Sequence, residues 1–165
     1  MNRRSSEVAR LRGLLEGQGI AMLATATGDG SLVSRPMALR DVDGEGCLWF
    51  VTRDDSGKTR EARLDHHVNA SFALPGREEY LSVAGLATVL YDPARTAELW
   101  SPALQVYFPN GPSDPALCLL RVEPRSAEYW KGPDGLVGQA LYFVAAAATG
   151  DPHVLSENTR IDLRH

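Results

Sequence analysis

The residues best suited to chemistry lie in the segment 52–59, which reads Thr-Arg-Asp-Asp-Ser-Gly-Lys-Thr. Ser56 supplies a hydroxyl and Lys58 an ammonium group, and the backbone N–H groups at the start of a helix attract an anion. Together these groups are what a phosphate needs. The alternative is an ordinary helix start, with Ser56 or Asp55 as the N-cap and Glu61 on the first turns. The local sequence leaves both interpretations open.

The end of this segment, Gly57-Lys58-Thr59, also matches the end of a P-loop, the phosphate-binding loop of many nucleotide hydrolases. That motif requires a glycine five residues before Gly57, where this chain has Thr52. We therefore reject a P-loop nucleotide hydrolase.

Positive charge for an anion site is available in the run Ser-Arg-Pro-Met-Ala-Leu-Arg at positions 34–40. Arg35 and Arg40 are five positions apart, so a regular strand would place them on opposite faces. Pro36 cannot donate to a neighbouring strand and suggests a sheet edge or a β-bulge, and one inserted residue would bring both arginines to the same side. The alternative is a pair of solvated arginines on a surface strand.

Other kinds of site have little support in the sequence. His66 and His67 are adjacent and lack the i, i+4 spacing that places two imidazoles on one helical face. No Gly-x-Ser-x-Gly nucleophile motif occurs. Cys47 and Cys118 lie in apolar runs, which is typical of buried, reduced thiols. Among the aromatic residues, the pair Tyr129–Trp130 is the best candidate to line a pocket for a planar ligand, although aromatic side chains more often belong to the core.

Composition limits the class of protein. The 165 residues are 44% hydrophobic and 23% charged, which predicts a single soluble domain over residues 1–165. The formal net charge of -4 argues against nucleic-acid binding, and no apolar stretch approaches the ~20 residues that cross a membrane. Charged residues follow the basic amino terminus where a signal peptide would be apolar, so we predict a cytoplasmic protein.

Periodicity and turn residues predict the elements that must position these groups. A first helix is expected over 6–17, a short helix over 58–66, a third from Pro93 toward Tyr107, and a closing helix over about 136–149. Strands are expected at 20–27, 31–42, 47–52, 68–74, 79–91, 117–122 and 127–130, with a bulge or bend at Gly85. About six or seven mostly antiparallel strands without βα alternation indicate a mainly β protein with flanking helices, closed into a barrel.

The order of these segments resembles the general stress protein branch of the pyridoxamine 5'-phosphate oxidase-like FMN-binding split barrels. The resemblance runs from about Ile20 to Trp130. It is carried by Arg35-Pro-Met, Leu48-Trp-Phe-Val-Thr52, Ser56-Gly-Lys58, a long strand centred on a glycine, Tyr107-Phe-Pro-Asn-Gly-Pro-Ser-Asp-Pro115, and Ala127-Glu-Tyr-Trp130.

This resemblance implies a split β-barrel that holds FMN at a homodimer interface. It places Arg35, Ser56 and Lys58 on the phosphate or ribityl chain. The residues implied to flank the isoalloxazine ring, with backbone groups bonding its polar edge, are Pro36, Met37, Phe50, Val51 and Thr52. The partner chain is expected to complete the pocket, from either the region Trp100–Pro109 or the pair Tyr129-Trp130, and Trp130 is the residue that we assign to the site. Arg40 aligns with a substrate-contacting position. FAD is an alternative cofactor.

Two positions depart from the oxidase that gives the superfamily its name. Gly57 stands where that enzyme has a second basic residue, and Tyr80 stands where it has a glutamine. We therefore expect an FMN-binding, stress-related oxidoreductase of unknown substrate. The alternative is a non-catalytic module that binds or senses a flavin or deazaflavin, and the third hypothesis is a true pyridoxamine phosphate oxidase.

Overall fold

Seven antiparallel strands form one sheet that closes on itself in the computed structural model, which describes residues 3–133, 135–151 and 157–164. The strands are β1 (Ile20–Ala26), β2 (Leu32–Val42), β3 (Leu48–Arg53), β4 (His67–Leu74), β5 (Glu79–Leu90), β6 (Leu117–Lys131) and β7 (Glu157–Asp162). The helices are α1 (Arg3–Leu15), α2 (Gly57–Leu64), α3 (Pro93–Leu99) and α4 (Gly135–Thr149). Three short 3₁₀ turns cover Pro75–Arg77, Pro102–Val106 and Gly111–Ser113.

Six of the strands make a barrel. The sheet order is β3-β2-β1-β4-β5-β6-β7, and β3 also pairs with β6, which closes the ring. One edge of β6 pairs with two strands in succession: Leu117–Val122 pairs with β3, and Ser126–Lys131 pairs with β7. The mainly β, antiparallel split barrel that the sequence predicted is confirmed.

The long strand β6 corrects one expectation. We predicted two strands, at 117–122 and 127–130, but β5 pairs with β6 from Glu79↔Lys131 to Leu90↔Leu119. Between the two predicted segments there is only a register shift, because Gly85 pairs with Pro124 while Ala84 pairs with Ser126. A Cβ at Gly85 would lie 2.4 Å from the carbonyl oxygen of Glu123, so the glycine allows the two backbones to approach at this bulge.

Three other elements differ from expectation. The third helix ends at Leu99 instead of continuing toward Tyr107, because Pro102 cannot donate a helical hydrogen bond and begins a separate 3₁₀ turn. The first helix spans Arg3–Leu15 rather than 6–17. Strand β7 was not predicted, since its sequence Glu-Asn-Thr-Arg-Ile-Asp is mostly polar.

Two helices cover opposite ends of the barrel. α1 approaches the turn before β3, because a Cβ atom added to Gly46 in that turn would lie 3.2 Å from Val8 Cγ1. α2 follows the other end of β3 and packs against β1 and β5. The main core lies between them and contains Leu11, Leu23 and Phe50, each with 0% exposure. No helix within the described ranges is long and apolar enough to cross a membrane.

Candidate functional site

The barrel opens between β2 and β3. These two strands pair only from Leu39↔Phe50 to Val42↔Leu48, whereas the earlier part of β2 pairs with β1 and the last residues of β3 pair with β6. The facing edges of the two strands, at residues 35–38 of β2 and 51–53 of β3, are therefore not paired with each other. We call the gap between these two edges the split. α2 begins four residues after β3 ends, so its first turn lies at the same end of the barrel as the split.

Ser56 forms the N-cap of α2, as one of the two interpretations of this segment predicted. Its Oγ accepts a hydrogen bond from the backbone N–H of Thr59 at 3.4 Å and lies 2.8 Å from Thr59 Oγ1. The fully buried hydroxyl of Thr59 also lies within 2.9 Å of the carbonyl oxygen of Asp54. This corner is fixed by its own hydrogen bonds, and helix geometry leaves the N–H groups of Gly57 and Lys58 without intrahelical partners. A helix cap and an anion site are thus compatible here.

Arg35 reaches from β2 to α2. Its Nη2 lies 2.8 Å from Glu61 Oε2, and its Nη1 donates to Thr25 Oγ1 at 2.5 Å. Thr25, on β1, donates in turn to Glu61 Oε2 at 2.5 Å. The Arg35 and Glu61 side chains are 23% and 18% exposed, so this cluster is largely enclosed. The hydrogen bond from Thr25 is the largest effect on the pKa of Glu61, and it lowers that pKa. Burial opposes this effect, and the hydrogen bond from Arg35 adds to it. The pKa is therefore lowered, and Glu61 is ionised at neutral pH.

Lys58 lies beside this cluster. Burial lowers the pKa of Lys58, and the nearby positive charge of Arg35 lowers it further. Asp55 and Glu61 partly offset these two effects. The structure therefore places Arg35, Ser56 and Lys58 at one corner of the barrel.

Thr52 lies at the end of β3 that borders the split. The residue is 4% exposed, and its hydroxyl is the one buried side-chain polar atom without a hydrogen-bond partner in the described part of the chain. Such an atom is uncommon, because leaving a buried hydroxyl unpaired costs roughly 1–3 kcal/mol. The hydroxyl of Thr52 therefore has an unmet hydrogen-bonding capacity at this end of β3.

The other residues predicted to flank a ring differ in whether their side chains face the barrel core or the outside of the barrel. Pro36 is exposed on the outside of β2, and Val51 is half-buried outside the barrel against the cluster around Trp49 and Leu99. Met37 and Phe50 have their side chains in the barrel core, at 7% and 0% exposure. These two can offer a ligand only their backbone groups.

Arg40 is placed differently from Arg35. The β2–β3 register shifts between Leu39 and Asp41, so a bulge is present at Arg40, but contrary to the expectation from the sequence it does not bring Arg40 to Arg35. Its guanidinium donates to the carbonyl oxygen of Leu99, at 3.2 Å from Nε and 3.1 Å from Nη2. Arg40 therefore binds the last residue of α3, whereas Arg35 joins Glu61.

Trp130 lies far along β6 from this corner. Cys118 pairs with Thr52, and Trp130 is twelve residues further along the strand, which corresponds to roughly 35–40 Å at strand rise. Trp130 pairs with Tyr80, and both side chains are exposed, at 37% and 42%. Within one chain, Trp130 therefore lies toward the opposite end of β6 from the corner at Ser56.

Two members of the cluster were not predicted as site residues. Glu61 was expected only on the first turns of the helix, although its i, i+3 spacing from Lys58 places both on one helical face and was a usable signal. Thr25 gave no signal, because its partners come from β2 and α2. The two cysteines are buried, which raises the pKa of each thiol to about 11, so neither is a nucleophile at neutral pH.

Known proteins share this architecture. The curated bli-3 protein of Neurospora crassa is 30% identical over 137 residues, which cover 78% of this chain and 66% of that protein. The chain thus spans just under two thirds of the length of that relative. General stress protein 26 of Bacillus anthracis has the same fold, with a TM-score of 0.66 and 22% identity over 74% of this chain and 92% of its own.

A general stress protein of Xanthomonas citri, described as FMN/FAD binding, superposes with a TM-score of 0.65 and 26% identity over 79% of this chain and 91% of its own. The family model described as pyridoxamine 5'-phosphate oxidase like matches residues 6–153. Because that match spans most of the barrel and the helical corner at Ser56, this protein belongs to the pyridoxamine 5'-phosphate oxidase-like family.

Proposed function

We propose that this protein binds a flavin, with FMN as the first candidate, in the split between β2 and β3. The observation that carries the proposal is the convergence of Arg35, Ser56 and Lys58 where β3 turns into α2. A phosphate monoester carries between one and a half and two negative charges at neutral pH. Two cations, a hydroxyl and first-turn N–H groups are the donors that bind it most strongly.

The described residues fit such a ligand beyond its phosphate. The unpaired hydroxyl of Thr52 borders the split and can bond a polar atom of the ribityl chain or ring. The separated edges of β2 and β3 leave backbone groups near 35–38 and 51–53 available for the polar edge of the ring. Pro36 supplies an apolar surface beside them. A flavin bound there would provide the hydride or electron chemistry, while the protein provides position and charge.

The binding site is proposed to form between two copies of the chain. Central outward positions of the neighbouring strands β2, β1, β4 and β5 form a surface without a charged residue, which we call the outer face. Its residues are Ile20, Met22, Ala24, Ser34, Pro36, Ala38, Asn69, Ser71, Ala73, Tyr80, Ser82 and Ala84. Exposed Ile20 and Met22 at 58% and 44% are typical of a surface that another protein covers.

The outer face also links the second copy to the split. Pro36 belongs to both, because it follows Arg35 on β2 and points outward beside Met22. Tyr80 lies on the outer face and pairs with Trp130, so a copy that covers this face can bring its Trp130 toward the ring. This arrangement supports the homodimer with a shared flavin pocket that the sequence resemblance implied.

Binding and sensing without turnover is the competing function. Glu61, the carboxylate of the corner, is tied to Arg35 and Thr25 and is therefore poorly placed to act as a general base. Gly57 replaces the second basic residue of the oxidase, which removes one phosphate or substrate contact and disfavours a true pyridoxamine phosphate oxidase. A bound flavin supplies the hydride or electron chemistry itself, so turnover requires no catalytic acid or base from the protein. We propose a flavoprotein with an oxidoreductase role and leave its substrate unassigned.

The absorbance spectrum of the purified protein tests the proposal. We expect flavin bands, and release of FMN on denaturation, or uptake of added FMN with about one flavin for each chain. A colourless protein that takes up no FMN would refute flavin binding. NAD(P)H-dependent bleaching of the bound flavin would support the oxidoreductase, and its absence would favour the binding module. Conversion of pyridoxamine phosphate with oxygen uptake would instead favour the third function.

The dimer is tested separately by light scattering. We expect twice the chain mass for the wild-type protein and a monomer for Met22→Arg, which places a charge in the middle of the outer face. The monomer should also lose bound flavin. A monomeric wild-type protein that still binds FMN would contradict the shared pocket.

A further inference from the structure

Glu61 places a negative charge inside a corner suited to a phosphate. Its Oε2 lies 2.8 Å from Arg35 Nη2, and its Oε1 lies 3.5 Å from the position of a Cβ on Gly57, in the first turn of α2. The carboxylate therefore extends from Arg35 to the side of the first turn of α2. A carboxylate in this position is unexpected if the corner serves only to bind the highest possible negative charge.

The neighbouring charges are mostly balanced within pairs. Asp54 pairs with Arg63, and Asp55 pairs with Arg53 at 3.0 Å. Arg60 is exposed to solvent, and its guanidinium donates to the carbonyl oxygen of Asp55 at 2.8 Å. Solvent screens such an exposed charge. The largely enclosed groups of the corner are thus Arg35, Lys58 and Glu61, which carry a net charge of one positive unit.

Flavins differ in the charge that they would bring to this corner. Riboflavin brings none, each phosphate of the FAD pyrophosphate carries one negative charge, and the monoester of FMN carries nearly two at neutral pH. Binding energy in a partly enclosed site depends on the product of the charges. A corner with a net charge of +1 therefore discriminates less between FAD and FMN than a corner with a net charge of +2.

We propose that Glu61 is a specificity-determining residue of the phosphate corner, which lowers the preference for a dianionic phosphate monoester over a singly charged phosphodiester. The proposal rests on the flavin-binding function proposed above. Glu61 also orients Arg35, because the same Oε2 accepts hydrogen bonds from both Arg35 and Thr25. Charge and orientation are distinct effects, and substitutions of similar shape separate them.

Glu61→Gln removes the charge and keeps an amide oxygen able to accept from Arg35. In titrations of the full-length protein with riboflavin, FAD and FMN, we expect riboflavin affinity to stay within about twofold of wild type. FAD affinity should rise about threefold and FMN affinity about tenfold. A phosphate with twice the charge gains twice the electrostatic energy, so its fold-change in affinity is the square of that of FAD. The ratio of the FAD to the FMN dissociation constant should therefore increase about threefold.

Two further variants keep the test decisive. Glu61→Asp retains the charge and shortens the side chain, so it should keep the wild-type ratio even if both affinities fall. Lys58→Gln lowers the net charge of the corner, so it should weaken FMN more than FAD and move the ratio in the opposite direction. Glu16→Gln, which changes an exposed residue after α1, is the matched control for net charge and should change none of the three affinities.

The outcomes distinguish this inference from flavin binding itself. A wild-type protein that binds none of the three ligands would refute the proposed function before the variants are compared. Wild-type binding of FMN, with an unchanged FAD to FMN ratio in both Glu61→Gln and Lys58→Gln, would overturn the specificity role and leave flavin binding intact. Equal weakening of FMN and FAD in Glu61→Gln would likewise overturn it, because Glu61 would then act only by orienting Arg35.

Discussion

The two ends of the barrel are closed by helices of opposite character. At one end, α1 buries the apolar residues Val8, Leu11 and Leu15 in the core. At the other end, α2 buries Thr59 and Ala62 and lies over the cluster of Arg35 and Glu61. The first end contributes hydrophobic burial, whereas the second holds charges that are favourable only when each has a partner.

Inward-facing positions change in the same direction along the strands that join the two ends. On β3 the series is Leu48, Phe50 and Thr52, and on β1 it is Ala21, Leu23 and Thr25. Each series becomes polar as it approaches α2. We therefore expect the α1 end to contribute more to stability, whereas the α2 end has polar groups in place of apolar ones.

The largest expected effect is at the α1 end. Leu11 has 0% exposure, so Leu11→Ala should lower the free energy of unfolding by about 2–5 kcal/mol because it leaves a cavity. Urea denaturation measures this change, and FMN affinity of the folded variant should match wild type. Arg12→Ala, on the exposed side of the same helix, is the control and should stay within about 0.5 kcal/mol. A large loss of FMN affinity in Leu11→Ala would contradict the division between the ends.

At the α2 end, Lys58→Ala should weaken FMN binding and leave the free energy of unfolding nearly unchanged, which is the opposite of Leu11→Ala. Loss of a charge-assisted hydrogen bond should weaken FMN binding by about 1.5–3 kcal/mol, measured by fluorescence titration. Stability without ligand should stay constant or increase slightly, because burial and Arg35 disfavour the charged form of Lys58 in the folded protein. Arg60→Ala, on the exposed side of α2, is the control. Unchanged FMN affinity in Lys58→Ala would remove Lys58 from the site.

The two buried threonines near α2 should separate structural from ligand-binding hydroxyls. Thr25→Val breaks bonds to Arg35 and Glu61 and should lower the free energy of unfolding by about 1–2 kcal/mol. Thr52→Val removes an unpaired hydroxyl, so its stability without ligand should stay within about 0.5 kcal/mol of wild type, while FMN binding weakens. Denaturation and titration of both variants test this difference, and equal loss of stability in the two would contradict it.

The smallest effect is the pH dependence of stability that Glu61 causes. Its pKa in the folded protein lies below the ordinary value of 4.5, so its contribution is fully present above that value and is lost as pH falls through the folded pKa. At pH 7 wild type should exceed Glu61→Gln by about 1 kcal/mol, and the difference should shrink below pH 4.5. Urea denaturation at several pH values measures it. A difference that grows toward acid would show that the Glu61 carboxylate is unfavourable in the folded state.

Much of the site was predictable because its signals are local. Ser56 and Lys58 are two residues apart at a strand-to-helix corner, and this short segment alone indicates both the cap and the anion site. Gly85 indicated the bulge because only glycine permits the approach of the Glu123 backbone. Tertiary pairing, in contrast, decided the continuity of β6, since the segments expected at 117–122 and 127–130 join through a register shift in one long ladder with β5.

By itself, the sequence predicted the order of most elements and a candidate set of anion-binding residues, because periodicity and capping act within a few residues. Only the tertiary structure decided which of the candidate cations meet. Arg35 and Arg40 look equivalent in the sequence, yet the fold joins one to Glu61 on α2 and the other to the end of α3. Partners 26 and 59 residues away set that difference, and no local pattern records contacts at such separations.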